Sequence, residues 1–128
     1  MQSFRNLEVW QKAHKLAVHA YELSAYLAEP KGWALRDQIF KAVISIPSNI
    51  AEGRGRGSDP DFARFLWYSL GSCNEFESDL ILGGDVKLIP SGVLTQLGNE
   101  VSEVRRMLTG LVNTVDPSHS GRRQRAEG

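Results

Sequence analysis

The chain has little of several features that define common protein classes. Cys73 is its only cysteine, so an internal disulfide bond is excluded and a reducing cytoplasm is favoured. No run of about 18 apolar residues could cross a membrane, and the first residues contain no apolar signal core. The 15 basic and 15 acidic side chains give a net charge of zero, whereas dedicated nucleic-acid binders usually have a basic excess. The sequence therefore indicates a small cytoplasmic domain.

Groups for metal binding or catalysis are also scarce. No glutamate is followed by a histidine in the Glu-x-x-His pattern of di-iron helical proteins. His14 and His19 are five residues apart, roughly 140° around a helix, so they cannot share a metal. Cys73 falls on an apolar stripe and is interpreted as a buried structural thiol. We expect no metal, no cofactor, no catalytic residue and no small-molecule substrate.

Apolar residues recur three and four positions apart in four segments, which is typical of amphipathic helices. The predicted helices cover about residues 7–28, 33–52, 60–83 and 92–115, and no strand pattern competes with them. Short connections between helices of this length favour an antiparallel up-down-up-down four-helix bundle over residues 1–116. Residues 117–128 are polar and are predicted to form a disordered tail.

Particular residues predict where these helices begin, bend and end. Asn6 and Asp59 are candidate N-caps, because short polar side chains accept hydrogen bonds from free helix N–H groups. Pro47 lies inside the second helix and is expected to kink it. Gly53 is expected to end that helix in a left-handed conformation, and Gly83–Gly84 to end the third.

The segment G-R-G-R-G-S at residues 53–58 admits three interpretations. It lacks the Lys-Ser/Thr ending of a P-loop and follows a helix instead of a strand, so a nucleotide cradle is disfavoured. A turn between two helices explains it fully. Arg54 and Arg56 could also contact RNA phosphates, so this alternative stays open.

A row of polar residues precedes that segment on the second helix: Gln38, Ser45, Asn49 and Glu52. Their spacings of seven, four and three place them along one side of a helix. Glu52 is close to the C-terminal end, where the helix dipole disfavours an anion, so it needs a cation such as Arg54 or Arg56. We interpret Asn49 and Glu52 as holding the loop through hydrogen bonds; the alternative is a solvated polar face.

Two longer runs of sequence resemble a known bacterial family. They are L-R-D-Q-I-F-K-A-V-I-S-I-P-S-N-I-A-E-G-R-G-R-G-S and D-F-A-R-F-L-W-Y-S-L-G-S-C-N-E-F-E, preceded by F-R-N-L-E-V-W-Q-K-A. The likeness covers roughly residues 4–115, with Lys41 where the family pattern often has arginine. Members of this four-helix-bundle family include proteins encoded in intervening sequences of 23S ribosomal RNA genes. The resemblance implies a homopentamer without established catalytic activity, and it points to Gln38, Asn49, Glu52, Ser72 and Glu75.

Apolar surface in excess of one core indicates assembly independently of the resemblance. Aromatic residues spread around the first and third helices, so five of them are candidate interface residues: Trp10, Tyr21, Phe65, Trp67 and Tyr68. Residues 30–57 carry five basic and two acidic side chains, a net +3, and residues 58–87 carry two basic and six acidic ones, a net −4. Adjacent segments of opposite charge suit a head-to-tail contact between copies, although they could also neutralise each other within one chain.

Two functions remain after these exclusions. The first is a non-enzymatic, cytoplasmic, homo-oligomeric scaffold that interacts with other proteins. The second is an accessory protein that binds RNA or a ribonucleoprotein through candidate contacts at Arg54, Arg56, Arg122, Arg123 and Arg125, multiplied by assembly.

Overall fold

The computed structural model describes residues 3–118, which form an all-α fold without any strand in that range. It has four α-helices: α1 (Glu8–Ala20), α2 (Pro30–Arg54), α3 (Asp59–Asp85) and α4 (Ser91–Val115). Two short 3₁₀ segments, Phe4–Asn6 and Tyr21–Ala25, flank α1. The predicted tail falls almost entirely on residues 119–128, which lie outside the described residues.

The first predicted helix is shorter than its apolar pattern suggested. Asn6 is not its N-cap: it ends the preceding 3₁₀ turn, and Leu7 is the N-cap of α1, which therefore has no side-chain cap hydrogen bond. The pattern continues past Ala20 because Leu23 and Leu27 remain buried along the tighter 3₁₀ turn. Pro30 occupies the first position of α2, where its missing N–H leaves no hydrogen bond unmade.

Gly53 does not end α2 in a left-handed conformation, so that prediction was wrong. The helix continues to Arg54, Gly55 caps it with φ −79°, and no glycine of residues 3–118 has a positive φ. Gly53 is instead buried against α3, where an added Cβ would lie 2.6 Å from Cβ of Phe65. The glycine therefore permits close approach of α3.

The beginning of α3 differs from the prediction by one residue. Ser58, rather than Asp59, is the N-cap, and its hydroxyl accepts a long hydrogen bond of 3.4 Å from the backbone N–H of Asp61. Asp59 and Pro60 occupy the first turn. There the carboxylates of Asp59 and Asp61 complement the positive end of the helix dipole.

The end of α3 is also later than predicted, because Gly83–Gly84 lies inside the helix. Ile89 and Leu94 pack directly over these two glycines, where an added methyl group would overlap them. Lys87 ends the helix in the left-handed region, with φ 63°. Its N–H donates to Gly84 and the N–H of Leu88 donates to Gly83, each at 3.0 Å, which is a Schellman motif.

Pro47 is buried inside α2, and the helix continues through it. Proline lacks the N–H that would bond to the carbonyl of Val43, so packing must support the helix here. Next to the proline, the fully buried hydroxyl of Ser69 on α3 donates to the carbonyl of Ile46 at 2.9 Å, which ties the two helices together at this point.

A single apolar core joins all four helices. Leu16 of α1, Ile46 of α2, Phe76 of α3 and Leu108 of α4 are all fully buried in it. Cys73 is buried there as well. The other fully buried side chains from the predicted stripes are Ala13, Ala20, Leu23, Leu27, Ile39, Ile50, Leu66 and Val101. Within residues 3–118, no helix is both long enough and apolar enough to span a membrane.

We predict that Gly53→Ala lowers the free energy of unfolding by about 1–3 kcal/mol, because the methyl group would overlap Phe65 and Phe62. The control is Gly110→Ala in α4, where nothing lies within 4 Å of an added Cβ. The control should gain up to about 1 kcal/mol through helix propensity. Urea denaturation followed by circular dichroism measures both, and equal effects of the two substitutions would contradict the close approach.

We also predict that Lys87→Gly raises the free energy of unfolding by about 0.5 kcal/mol. The left-handed conformation of Lys87 disfavours a side chain, and the greater freedom of glycine in the unfolded chain offsets part of the gain. The same denaturation experiment measures this change. A loss of stability would mean that Lys87 is not held in the left-handed region.

Candidate interaction surfaces

Hydroxyl groups connect α2 to α3 at the middle of their contact. The Ser45 hydroxyl donates to the Ser72 hydroxyl at 2.5 Å, and the Ser72 hydroxyl donates to the carbonyl of Tyr68 at 3.2 Å. The Asn49 side-chain amide donates to the carbonyl of Ser45 at 2.8 Å. The Asn49 side chain therefore bonds to its own helix, and its hydrogen bond does not involve the following loop.

Two other residues of the predicted polar network do not join it. Gln38 and Glu75 are exposed, and neither makes a hydrogen bond or ion pair within residues 3–118. The structure thus brings together Ser45, Asn49 and Ser72, while the remaining polar residues of α2 lie toward solvent or toward the loop.

An arginine–aromatic cluster surrounds the turn between α2 and α3. The Arg56 guanidinium pairs with Glu52 at 2.9 Å and lies 4.8 Å from the ring centre of Phe65. The Arg64 guanidinium also lies 5.0 Å from the ring centre of Phe65. The Arg54 guanidinium lies 5.5 Å from the ring centre of Phe62. The Glu52–Arg56 pair is exposed, so it contributes only about 0.3–0.5 kcal/mol.

The charges around this turn balance each other. Arg54 and Arg56 line a depression of about 310 Å³ that Asp59 also lines. Arg64 pairs with Asp61 at 3.4 Å. Three arginines therefore stand among three carboxylates, counting Glu52, so the cluster has no strong attraction for anions. The other candidate nucleic-acid contacts, Arg122, Arg123 and Arg125, lie outside the described residues.

The five candidate interface aromatics do not form one surface. Trp10 and Tyr21 lie between α1 and α2, with Trp10 stacked on His14 at 4.9 Å. Phe65 and Tyr68 belong to the arginine–aromatic cluster and contact each other at 5.4 Å. Trp67 is half-buried against the core and lines a depression between α3 and α4. The residues therefore divide among three surfaces.

An apolar groove runs between α1 and α2 and has a volume of about 430 Å³. Val18 and Tyr21 are each 55% exposed there, and Ile44 is 42% exposed. We call this surface the α1/α2 groove; it is lined by Phe4, Trp10, His14, Ala17, Val18, Tyr21, Ile44, Pro47, Ser48 and Ala51.

A second surface with exposed aliphatic side chains is the α3 stripe, formed by Glu75, Asp79 and Leu82 of α3 and by Val86, the C-cap of the helix. These residues are spaced four, three and four positions apart, so they share one side of the helix. Leu82 is 51% and Val86 is 52% exposed. The stripe continues along the side of α3 that carries Ser72, which contacts α2.

Two titratable groups of α3 have raised pKa values. Burial raises the pKa of the Cys73 thiol to about 12; Arg105 opposes this change and Glu77 adds to it. Burial, followed by the negative charge of Glu75, raises the pKa of Asp79. One oxygen of Asp79 is buried without a hydrogen-bond partner among residues 3–118. Cys73 is thus unsuited to act as a thiolate nucleophile.

Polar contacts elsewhere connect the helices. His19 Nδ1 lies 2.5 Å from Glu100, and Lys12 lies 3.3 Å from Glu103, so α1 is tied to α4. Arg105 of α4 bonds to Glu77 at 3.0 Å. Within residues 3–118, no three histidine, cysteine or acidic side chains converge to hold a metal ion.

These features define a small all-α protein with exposed apolar surfaces. The family model described as 23S rRNA-intervening sequence protein matches residues 5–110. The chain therefore belongs to this family.

A solved structure has a similar fold. It is a protein of unknown function from the S23 ribosomal protein family of Bacteroides thetaiotaomicron, with 28% sequence identity and a TM-score of 0.77. The similarity covers 81% of this chain and 97% of that chain. None of the curated proteins matches this chain.

Sequence reasoning missed several residues of these surfaces. Val18, Ile44 and Leu82 lie off the core stripes, and their signal is an apolar side chain displaced by two positions from a stripe residue. Arg64 was missed because the aromatic ring that it contacts, Phe65, was assigned to an oligomer interface.

We predict that Asp79→Asn stabilises the fold at neutral pH. Because the folded pKa is raised, the folded state binds more protons than the unfolded state above about pH 3.9, so this carboxyl lowers stability as pH rises. Asparagine removes that loss. Urea denaturation at a series of pH values measures the free energy of unfolding of the variant and of the native chain. The variant should be more stable at neutral pH, with a difference that vanishes at low pH and is constant above the folded pKa of Asp79.

Glu75→Gln is the matched variant for this experiment. Removing the Glu75 charge should move the pH transition of Asp79 downward without abolishing it, because burial remains the larger cause. A stability gain of Asp79→Asn that is independent of pH would contradict this explanation.

Proposed function

We propose that this chain is a non-enzymatic scaffold protein of the cytoplasm that assembles with copies of itself, as a homopentamer of up-down-up-down four-helix bundles. The observation that carries this proposal is the exposure of Val18, Tyr21 and Ile44 in the α1/α2 groove, by 55%, 55% and 42%. Contiguous apolar surface of this kind on a small protein usually belongs to an interface.

The helix order supports the topological part of the proposal. Ser45 contacts Ser72 and Ile46 contacts Ser69, while Gly53 at the end of α2 contacts Phe65 near the start of α3. Later residues of α2 thus contact earlier residues of α3, as expected for antiparallel helices. The pairs Lys12–Glu103 and His19–Glu100 likewise join later residues of α1 to earlier residues of α4.

We propose no catalytic role because of the chemistry of the described side chains. The only thiol is buried with a pKa of about 12. The Ser45 and Ser72 hydroxyls bond to each other and to a backbone carbonyl, so no general base stands beside them.

RNA binding by the arginine–aromatic cluster is the second candidate function. The family description refers to 23S rRNA intervening sequences, and Arg54, Arg56 and Arg64 lie beside aromatic rings that could stack with bases. The carboxylates among these arginines weaken phosphate attraction, so we place this function second.

We predict that the purified chain has a mass near five times 14.2 kDa by light scattering, with an absorbance ratio at 260 and 280 nm typical of pure protein. Excess absorbance at 260 nm in the same peak, removable by high salt, would favour RNA binding. A mass of 14.2 kDa at all concentrations would contradict the scaffold proposal.

A further inference from the structure

A depression between α3 and α4 has a volume of about 420 Å³, which falls within the size range of small-molecule sites. We call it the α3/α4 depression; it is lined by Trp67, Leu70, Gly71, Asn74, Arg105 and Thr109. The half-buried Trp67 indole and the buried Leu70 side chain supply its apolar part. An amide, a guanidinium and a hydroxyl group supply its polar part. The depression thus combines an aromatic wall with a few hydrogen-bonding groups, as specific ligand sites do.

Gly71 leaves open space in this depression. It lies in the middle of α3, is exposed, and has nothing within 4 Å of an added Cβ apart from the neighbouring backbone of its own helix. By contrast, Gly53 and Gly83 are each covered by a side chain of this chain. Glycine destabilises a helix interior relative to alanine, and packing within residues 3–118 gives no reason for it at this position. The open position permits a flat group to come close to the α3 backbone.

Two contacts from α3 hold the Arg105 guanidinium in place. Its Nε donates to Oδ1 of Asn74 at 3.1 Å, and its Nη2 donates to Oε1 of Glu77 at 3.0 Å. The guanidinium carries further N–H groups that these two bonds do not use, so it can also donate to a ligand. The Asn74 amide likewise keeps its N–H groups, because the bond to Arg105 uses only its oxygen. Hydrogen-bond donors are therefore positioned before a ligand arrives.

The depression offers these donors with little net charge. Of the lining residues only Arg105 is charged, and the ion pair with Glu77 compensates that charge. A phosphate or carboxylate bound to Arg105 would also meet the negative charge of Glu77, so an anion gains little here. An uncharged ligand with several acceptor atoms uses the free N–H groups and leaves the Arg105–Glu77 pair intact.

From the aromatic wall, the open glycine and the uncharged set of donors, we infer that the α3/α4 depression binds one nucleobase. The base stacks on the Trp67 indole, and its carbonyl and ring-nitrogen acceptors bond to Arg105 and Asn74. It lies flat over Gly71, where no side chain has to move. The base belongs to a free nucleoside or to an unpaired nucleotide of RNA. This inference goes beyond the proposed scaffold function and does not depend on self-assembly.

Nuclear magnetic resonance of the full ¹⁵N-labelled chain tests the site directly. The probes are uridine and inosine, whose bases carry the required acceptors, and ribose is the control because it has the sugar without the base. We expect saturable shifts of the Gly71 N–H and the Arg105 Nε–H with a nucleoside and none with ribose. Single-stranded RNA of about ten nucleotides and the same RNA as a duplex identify the source of the base.

The RNA probes lead to distinct results. Shifts with single-stranded RNA but not with the duplex assign the site to an unpaired nucleotide, and shifts with nucleosides alone assign it to a free nucleoside. Absence of shifts at both resonances with the nucleosides and with single-stranded RNA would overturn the inference.

Gly71→Leu fills the depression and should weaken binding of the best probe at least about tenfold. Gly110→Leu is the matched control, because Gly110 also has nothing within 4 Å of an added Cβ but does not line the depression. It should bind like the native chain. Arg105→Lys keeps a positive charge beside Glu77 but loses the planar fork of donors, so it should also weaken binding. Native affinity in Gly71→Leu would contradict the proposed site.

Light scattering separates this inference from the proposed function. Gly71→Leu and Gly110→Leu should both keep the mass and the helix content of the native chain. If Gly71→Leu alone loses assembly, the depression is a contact between copies, so the ligand site is wrong while self-assembly stands. If the native chain is a monomer and still binds a probe through Gly71 and Arg105, self-assembly is wrong while the nucleobase site stands.

Discussion

The close approach of α2 and α3 is the constraint on which the rest of the structure depends. Gly53 lets the backbone of α2 come against Phe62 and Phe65, and Ser69 satisfies the carbonyl of Ile46 beside Pro47. The Ser45–Ser72 hydrogen bond lies between these points. Small side chains at the contact permit the short distance, and the buried Ser69 hydroxyl ties the two helices together beside Pro47.

This constraint also explains why apolar side chains are left on the surface. One side of α2 packs against α3 and another faces the core. Its remaining side carries Ile44, which lines the α1/α2 groove and stays partly exposed among residues 3–118. At the C-terminal end of α3, Leu82 and the C-cap Val86 similarly lie away from the core. Exposed apolar surface of this kind is what the proposed self-assembly would bury.

The sequence predicted the helical class and the buried stripes well because both follow from local periodicity. The residues from Val9 to Leu27 show the limit: their apolar spacing was correct, but it did not reveal the change from α-helix to 3₁₀ turns at Tyr21. Gly53 and Gly83 were misread as helix ends, since a glycine that permits packing looks the same in sequence as one that permits a left-handed conformation. Only the partner side chains, Phe65 and Ile89, distinguish the two.

The candidate surfaces were less predictable because they depend on which helices are neighbours. Trp10, Phe65 and Trp67 were grouped by composition, yet they lie on three surfaces. Small-angle X-ray scattering of the native chain tests self-assembly most directly. A ring of five copies predicts a radius of gyration of about 25 Å or more, whereas a value of about 14 Å, expected for one compact chain of this length, would contradict the account.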